Sequence, residues 1–292
     1  MALLCLGSLL QYSTEPLNLI LHDDGTLMAD DRERLKLNLH GVSFVSRSEA
    51  DELTQQQLKG YPNCFQYRHG SAHQTQHILS LKLFDVALLS HDTIAYCDSD
   101  ILFLKPFCQL FNFPDSSTSA LFMKDFRESY SIHFLKLLKS NEIQLPSKVN
   151  AGLIFFKKRN FDLDFVEWLL KQEEFKYIFA FTEQTCWAAL GYRAHCRFWD
   201  PQQIQMIHQK APVTQQTIAG HFTTPYRYLL RQYFARDPAH NPVEPASVSP
   251  ESPTVINTIP AVDCHPISLA KEHSRIHLGG VKQKIVGKRK SF

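Results

Sequence analysis

Between Thr93 and Pro106 one apolar run, Thr-Ile-Ala-Tyr-Cys, leads into Asp98-Ser99-Asp100, and a second, Ile-Leu-Phe-Leu, leads out before Lys105 and Pro106. In an extended chain alternate side chains project to the same side, so Asp98 and Asp100 face one way and Ser99 the other. Two carboxylates at the end of a buried strand repel, and neither is easily desolvated without a cation. A divalent metal is the natural partner, and carboxylate oxygens suit Mg²⁺ or Mn²⁺. A phosphate-carrying substrate is then the first expectation. An Asp-x-Asp triplet alone is a weak signal, because a strand end turning into solvent gives the same letters. Its context is stronger: the triplet interrupts a buried segment, and ligands of open α/β sheets collect at the carboxyl ends of strands.

The 292 residues, 44% of them hydrophobic, suffice for one large α/β domain with an extension. A net charge of +2 is too balanced to argue for nucleic-acid binding. Seven cysteines (Cys5, Cys64, Cys97, Cys108, Cys186, Cys196, Cys264) are scattered, odd in number and without a C-x-x-C pair, which favours reduced thiols and a cytoplasmic protein. The apolar start, Met1 to Leu10, is too short to span a bilayer and lacks the basic leader of a signal peptide, so it reads as a core helix.

Leu17 to His22 reads as a strand stopped by Asp23-Asp24-Gly25, with the glycine available for positive φ. A helix is expected over Asp31 to Leu39 and a strand over Val42 to Val45. Helical spacing returns from His73 to Leu89, with Ile78, Leu81, Phe84 and Leu88 facing inward. Val149 to Phe156 is another apolar strand, entered through Asn150-Ala151-Gly152. Phe161 to Phe175 reads as an amphipathic helix with Phe165, Trp168 and Leu169 on its inner stripe. Thr182 is the expected N-cap of a helix running from Glu183 to Leu190 and ended by Gly191. This alternation predicts an α/β fold with a mostly parallel central sheet flanked by helices.

Beyond Asp237 the character changes. Seven of the fifteen prolines fall between Pro238 and Pro266, among Ser, Thr, Glu and Asn. That density blocks helix and sheet interiors, so residues 237–292 are expected to be a disordered extension, a linker followed by a basic tail. The tail carries Lys282, Lys284, Lys288, Arg289 and Lys290 with no acid; it reads either as a solubilising end or as a weak contact for an anionic membrane.

Four segments occur in order: Tyr96-Cys97-Asp98-Ser99-Asp100, Asn150-Ala151-Gly152, Thr182-Glu183-Gln184, and Gly220-His221-Phe222 with Arg227 six residues after the histidine. Over residues 1–236 this order and spacing resemble the family-8 retaining glycosyltransferases of the GT-A fold, the group that contains glycogenin and bacterial lipopolysaccharide galactosyl- and glucosyltransferases. The resemblance implies that Asp98, Asp100 and His221 hold Mn²⁺ (or Mg²⁺) against the diphosphate of a nucleotide-sugar, usually a UDP-sugar; an imidazole among carboxylates leans toward Mn²⁺. It implies that Arg227 neutralises charge on the departing UDP. Asn150 would hydrogen-bond the transferred sugar or the acceptor, Gly152 would leave room for it, and Gln184 would lie beneath the anomeric carbon. Lys82 would reach a phosphate or a sugar hydroxyl.

Each position also has a plainer reading. His221 fits an ordinary loop, Asn150 and Gly152 a turn into a strand, Glu183 and Gln184 a helix start favoured by the macrodipole, and Lys82 and Arg227 solvated helix charges. Two departures from the family stand out. Family members often carry Asp where this chain has Glu183. They also begin with a strand that holds the nucleotide base, whereas this chain starts at the helix that follows it; the expectation is a misplaced start or a fragment, with strand edges and half the base pocket exposed. His69, His73 and His77 stand at four-residue spacing, but Gly70 and Ser71 break the helix that a metal-binding stripe would need.

The sequence therefore predicts a metal-dependent hexosyltransferase with a saccharide or other hydroxyl acceptor and no nucleic-acid partner, cytoplasmic and at most peripheral to a membrane. A metal-dependent nucleotidyltransferase is the alternative, without the Gly-rich phosphate loop that would favour it. An inactive nucleotide-sugar-binding protein is the other.

Overall fold

The computed structural model describes residues 1–70, 74–132, 137, 142–172, 181–208, 211–234, 246–248 and 250–251. Helix α1 (Ala2–Tyr12) buries Cys5, Leu6, Ser8 and Leu9, as its apolar composition predicts. Strands β1 (Ile20–His22) and β2 (Ser43–Val45) pair in parallel around α2 (Ala29–Asn38). Gly25, in the turn after β1, has φ +94, the left-handed conformation its place in the turn demands. Helices α3 (Arg47–Gln57), α4 (Pro62–His69) and α5 (Gln74–Leu89) follow. His69 ends α4, accepts or donates a hydrogen bond at Thr54, and is not on α5, so the histidine stripe does not form; His73 lies outside the described residues. Leu81 and Phe84 of α5 are buried, but Ile78 is 50% exposed, against expectation.

The main sheet has the order β12-β8-β6-β7-β3, built from β3 (Thr93–Cys97), β6 (Ala120–Lys124), β7 (Val149–Lys157), β8 (Arg197–Trp199) and β12 (Pro250–Glu251). Only β6 and β8 run parallel in it; the other three pairings are antiparallel. The class is the expected α/β architecture, but strand direction is mixed, not mostly parallel. Antiparallel neighbours need no crossover connection, so β7 can pair with β6 on one side and β3 on the other. A smaller sheet joins β4 (Ile101–Phe103), β10 (Ala219–His221) and β9 (Ile204–Met206).

Every residue of β7 from Val149 to Phe156 is buried, because both faces of the sheet are covered. Ile154 and Phe156 pack on one side with Phe122, Trp187 and Leu190; Leu153 and Phe155 pack on the other with Leu9, Phe103 and Trp199. Helix α6 (Leu163–Lys171) buries Val166 and Leu169 and is capped by the Asp162 carboxylate, which accepts from the Phe165 N–H. Helix α7 begins at Thr182 itself and runs to Arg193, so Thr182 is not its N-cap and Gly191 does not end it. Gly191 lies inside the helix at a position that excludes a side chain, because a Cβ there would lie 2.5 Å from a ring carbon of Phe122. After β10 a 3₁₀ turn (Thr224–Leu229) leads into α8 (Leu230–Phe234).

Part of the proline-rich stretch is ordered into the fold. β11 (Ala246–Ser247) pairs in parallel with β5 (Phe107–Cys108), and β12 pairs with β8. Val248 between them is 7% exposed, within the core around Phe107 and Trp199. Short edge strands accept proline where an N–H faces away from the ladder, which is how Pro250 is accommodated. The basic tail lies outside the described residues. Six cysteines are free thiols among the described residues, and no described helix is long and apolar enough to cross a membrane.

Candidate metal centre

Asp98-Ser99-Asp100 is the turn between β3 and β4, closed by the Ile101 N–H donating to the Asp98 carbonyl at 3.2 Å. The Asp98 N–H is held by the Gly152 carbonyl of β7 at 2.7 Å. On the other flank β10 runs antiparallel to β4 with His221 opposite Ile101, and the Phe222 N–H donates to the Asp100 carbonyl at 2.9 Å. That register sets the imidazole beside the two carboxylates. His221 Nε2 lies 3.0 Å from Asp100 Oδ1 and 3.7 Å from Asp98 Oδ2, and one ligand atom from each of the three residues lies within 4.8 Å of the others.

The other imidazole nitrogen, Nδ1, is 3.1 Å from Asn150 Oδ1. Asn150 Oδ1 also accepts from the Gly152 N–H, while its Nδ2 donates to the Asp125 carboxylate at 3.3 Å. These two partners fix the amide orientation, so the atom facing Nδ1 is an acceptor and Nδ1 carries the proton. While Nε2 carries a proton it donates to Asp100 Oδ1; freed of that proton, it sets a lone pair beside two carboxylates. Such an electron-rich trio calls for a cation, and the donor set of two carboxylates and one imidazole, with the far nitrogen oriented by a side-chain oxygen, suits Mn²⁺ or Mg²⁺. The residues present fit the metal.

A β-bulge prepares this alignment. Phe122 pairs with Ile154 while the next residue, Met123, pairs with Asn150, so Ala151 to Leu153 are the extra residues of β7, and Asn150 and Gly152 at this irregularity both adjoin His221. Gly152 is obligatory there: a Cβ would lie 2.4 Å from His221 Cε1 and 2.6 Å from Nδ1. The space beside Gly152 is therefore filled by the imidazole, and both ends of the Asn150 amide are engaged within the protein.

Charges frame the trio. Asp100 is 5% exposed. Burial alone would raise its carboxyl, but His221 and Arg227 outweigh that and hold it below the usual carboxylate range. Arg227 donates to Asp100 Oδ2 from Nε at 3.0 Å and from Nη2 at 2.8 Å, and its side chain remains 45% exposed. Asp98 accepts from Tyr96 Oη at 2.5 Å and from Lys82 Nζ at 3.2 Å. Lys82 is no solvated charge. Its side chain is 11% exposed, 3.8 Å from Glu183 and 5.0 Å above the Tyr96 ring; burial would lower its ammonium, yet Asp98 and Glu183 raise it. Glu183, at the start of α7, is 4% exposed, and its Oε1 lacks a hydrogen-bond partner among the described residues. Burial pushes it up to about 7, against Lys82 and with the charge of Asp98. Gln184 spans two segments, with Nε2 donating to the Ser129 carbonyl at 2.9 Å and Oε1 accepting from the Ala151 N–H at 3.4 Å.

All nine residues singled out in the sequence thus converge on one region. Two acids there carried no sequence signal. Asp125 is buried beside Asn150, and Glu128 accepts from Ser147 Oγ and from the Lys148 N–H; burial raises both carboxyls. They lie three residues apart beside Lys124 and Arg127, like an ordinary charged loop, and the β6–β7 pairing sets them beside Asn150 and Lys148.

No family model matches the chain, and no curated protein matches it either. Solved structures do. Mouse xyloside xylosyltransferase 1, in its apo form, superposes with a TM-score of 0.53 at 13% identity, over 77% of this chain and 92% of that one. The galactosyltransferase LgtC, in complex with donor and acceptor sugar analogs, superposes with a TM-score of 0.51 at 12% identity, over 80% of this chain and 90% of that one. The chain has the GT-A fold of these glycosyltransferases. It carries a candidate Asp-x-Asp cation site on that fold.

Proposed function

We propose that the chain is a metal-dependent glycosyltransferase that moves a hexose from a nucleotide-sugar, a UDP-sugar by preference, to a hydroxyl acceptor. One observation carries the reading: Asp98 and Asp100 are joined by the sequence-distant His221, and one ligand atom from each lies within 4.8 Å of the others. Mn²⁺ bound there supplies Lewis-acid neutralisation of a diphosphate leaving group. Asp98, Asp100 and His221 hold the ion, and the imidazole favours Mn²⁺ over Mg²⁺.

The rest of the work falls to side chains. Asn150 and Gly152 position His221, the first by holding the proton on Nδ1 and the second by leaving room for the ring. Arg227, half-exposed above Asp100, presents a guanidinium to the diphosphate, and Lys82 sets a second cation beside Asp98. At the start of α7, Gln184 ties Ser129 to Ala151 and the buried Glu183 lies beside Lys82, so both act by positioning the groups around Asp98 and Asn150. Retention at the anomeric carbon is proposed on the family resemblance alone. The acceptor hydroxyl would then attack on the face that UDP leaves, its proton passing to the departing phosphate. Residues 1–236 are the proposed catalytic unit.

The test is a thermal-shift series of nucleotide-sugars with and without Mn²⁺, alongside Asp100→Asn. UDP with Mn²⁺ is expected to stabilise the wild type by roughly 2.7 kcal/mol at a hundredfold excess over Kd. The variant should keep its fold and lose that gain. Equal protection of both proteins would remove Asp100 from the ligand set.

A further inference from the structure

Three aromatic rings stand at the rim of the metal centre and have no part in the chemistry described so far. Phe126 follows Asp125 in the loop after β6 and is 42% exposed, although it is a large apolar side chain. His208, beyond the end of β9, has its ring centroid 4.7 Å from that of Phe126. Tyr226, directly before Arg227, lies 6.5 Å from His208 by the same measure. The interplanar angles, 39° and 52°, make the neighbouring rings tilted and not stacked. The Arg127 guanidinium carbon sits 5.3 Å from the Phe126 centroid at one end.

This rim is joined to the centre at both ends. Asp125, the neighbour of Phe126, accepts from Asn150, which orients His221; Arg227, the neighbour of Tyr226, grips Asp100. A molecule resting on the rings would therefore lie within reach of whatever the cation site holds. Ring faces carry negative electrostatic potential and attract the polarised C–H groups of a pyranose. The hydroxyls of such a ring would meet the guanidinium groups of Arg127 at one end and the half-exposed Arg227 at the other.

We propose that Phe126, His208 and Tyr226 form the acceptor platform, and that the acceptor is a pyranoside stacked on these rings. This deepens the glycosyltransferase reading and rests on it. The experiment uses the full chain with Mn²⁺ and UDP, and with methyl β-D-glucopyranoside, methyl β-D-galactopyranoside and methyl β-D-xylopyranoside as probes. Saturation-transfer NMR reads the glycosides, and calorimetry reads UDP separately.

The expected result is transfer from protein aromatic protons to the ring C–H protons of at least one glycoside. Phe126→Ala should weaken that glycoside by about tenfold, as loss of an anchoring aromatic does, with the Kd for UDP unchanged. Phe126→Trp should restore it. Three outcomes overturn the proposal: glycoside binding untouched by Phe126→Ala, weaker UDP binding with glycoside binding intact (the ring then holds the base), or UDP binding with no glycoside bound. Failure of UDP itself to bind is a different result, which brings down the glycosyltransferase reading and the platform with it.

Discussion

The imidazole of His221 occupies the space that a side chain at residue 152 would need: a Cβ on Gly152 would lie 2.4 Å from His221 Cε1. Both residues sit on strands held in register by long-range pairing, β7 by β3 and β6, and β10 by β4 and β9. Neither can yield without disturbing a sheet. Gly152→Ala should therefore push the ring off the carboxylates. It should cost about 1–3 kcal/mol in overpacking and abolish Mn²⁺-dependent stabilisation by UDP. Calorimetric titration of Mn²⁺ into the folded variant checks this against simple loss of stability.

Asn150→Ala removes the acceptor that keeps the proton on His221 Nδ1 and leaves the cation ligands themselves in place. Mn²⁺ affinity should fall by about 10–100-fold with circular dichroism unchanged, the usual cost of losing an orienting partner of a metal ligand. Asn150→Asp should do worse, since a second carboxylate would face Asp125.

Glu183 ties stability to pH. Its carboxyl is pushed up to about 7 in the fold from 4.5. Between those values the unfolded chain has released a proton that the native state retains, so stability falls as pH rises through this window. The loss is complete above about 7 and amounts to roughly 3 kcal/mol at most. Glu183→Gln should flatten the Tm–pH curve of the metal-free protein between pH 5 and 8, at roughly 2–4 °C per kcal/mol. A slope unchanged by the substitution would assign the effect to another group.

Val248 is a core residue reached by a chain segment rich in proline. Val248→Asp should destabilise the protein by about 2 kcal/mol or more, through burial of an unpaired charge. Its affinity for Mn²⁺, measured well below its Tm, should be unchanged.

The candidate metal ligands were legible because strand, carboxylate pair and downstream histidine each leave a local mark, and their order along the chain resembles a known pattern. Gly25 and α1 were legible for the same reason, one from turn chemistry and the other from an apolar run. What could not be read depends on pairing at a distance. The β-bulge that aims Asn150 and Gly152 is a property of β6 and β7 together, and so is the placement of Asp125 and Glu128. Strand direction in the main sheet follows from connections whose course no short window encodes. Gly191 carries the ordinary signal of a helix end, yet Phe122, from a different strand, makes it an interior contact. Residues 246–251 were hidden by composition, since their proline content masks two short edge strands.

The position of β10 in its small sheet sets a timetable for biosynthesis. It is the middle strand, bonded to β4 on one side and β9 on the other, and it delivers His221 to carboxylates made far earlier in translation. A nascent chain that has cleared the ribosome only as far as β9 holds both aspartates without their third ligand. The candidate cation site is thus completed late, after most of the described fold has been made.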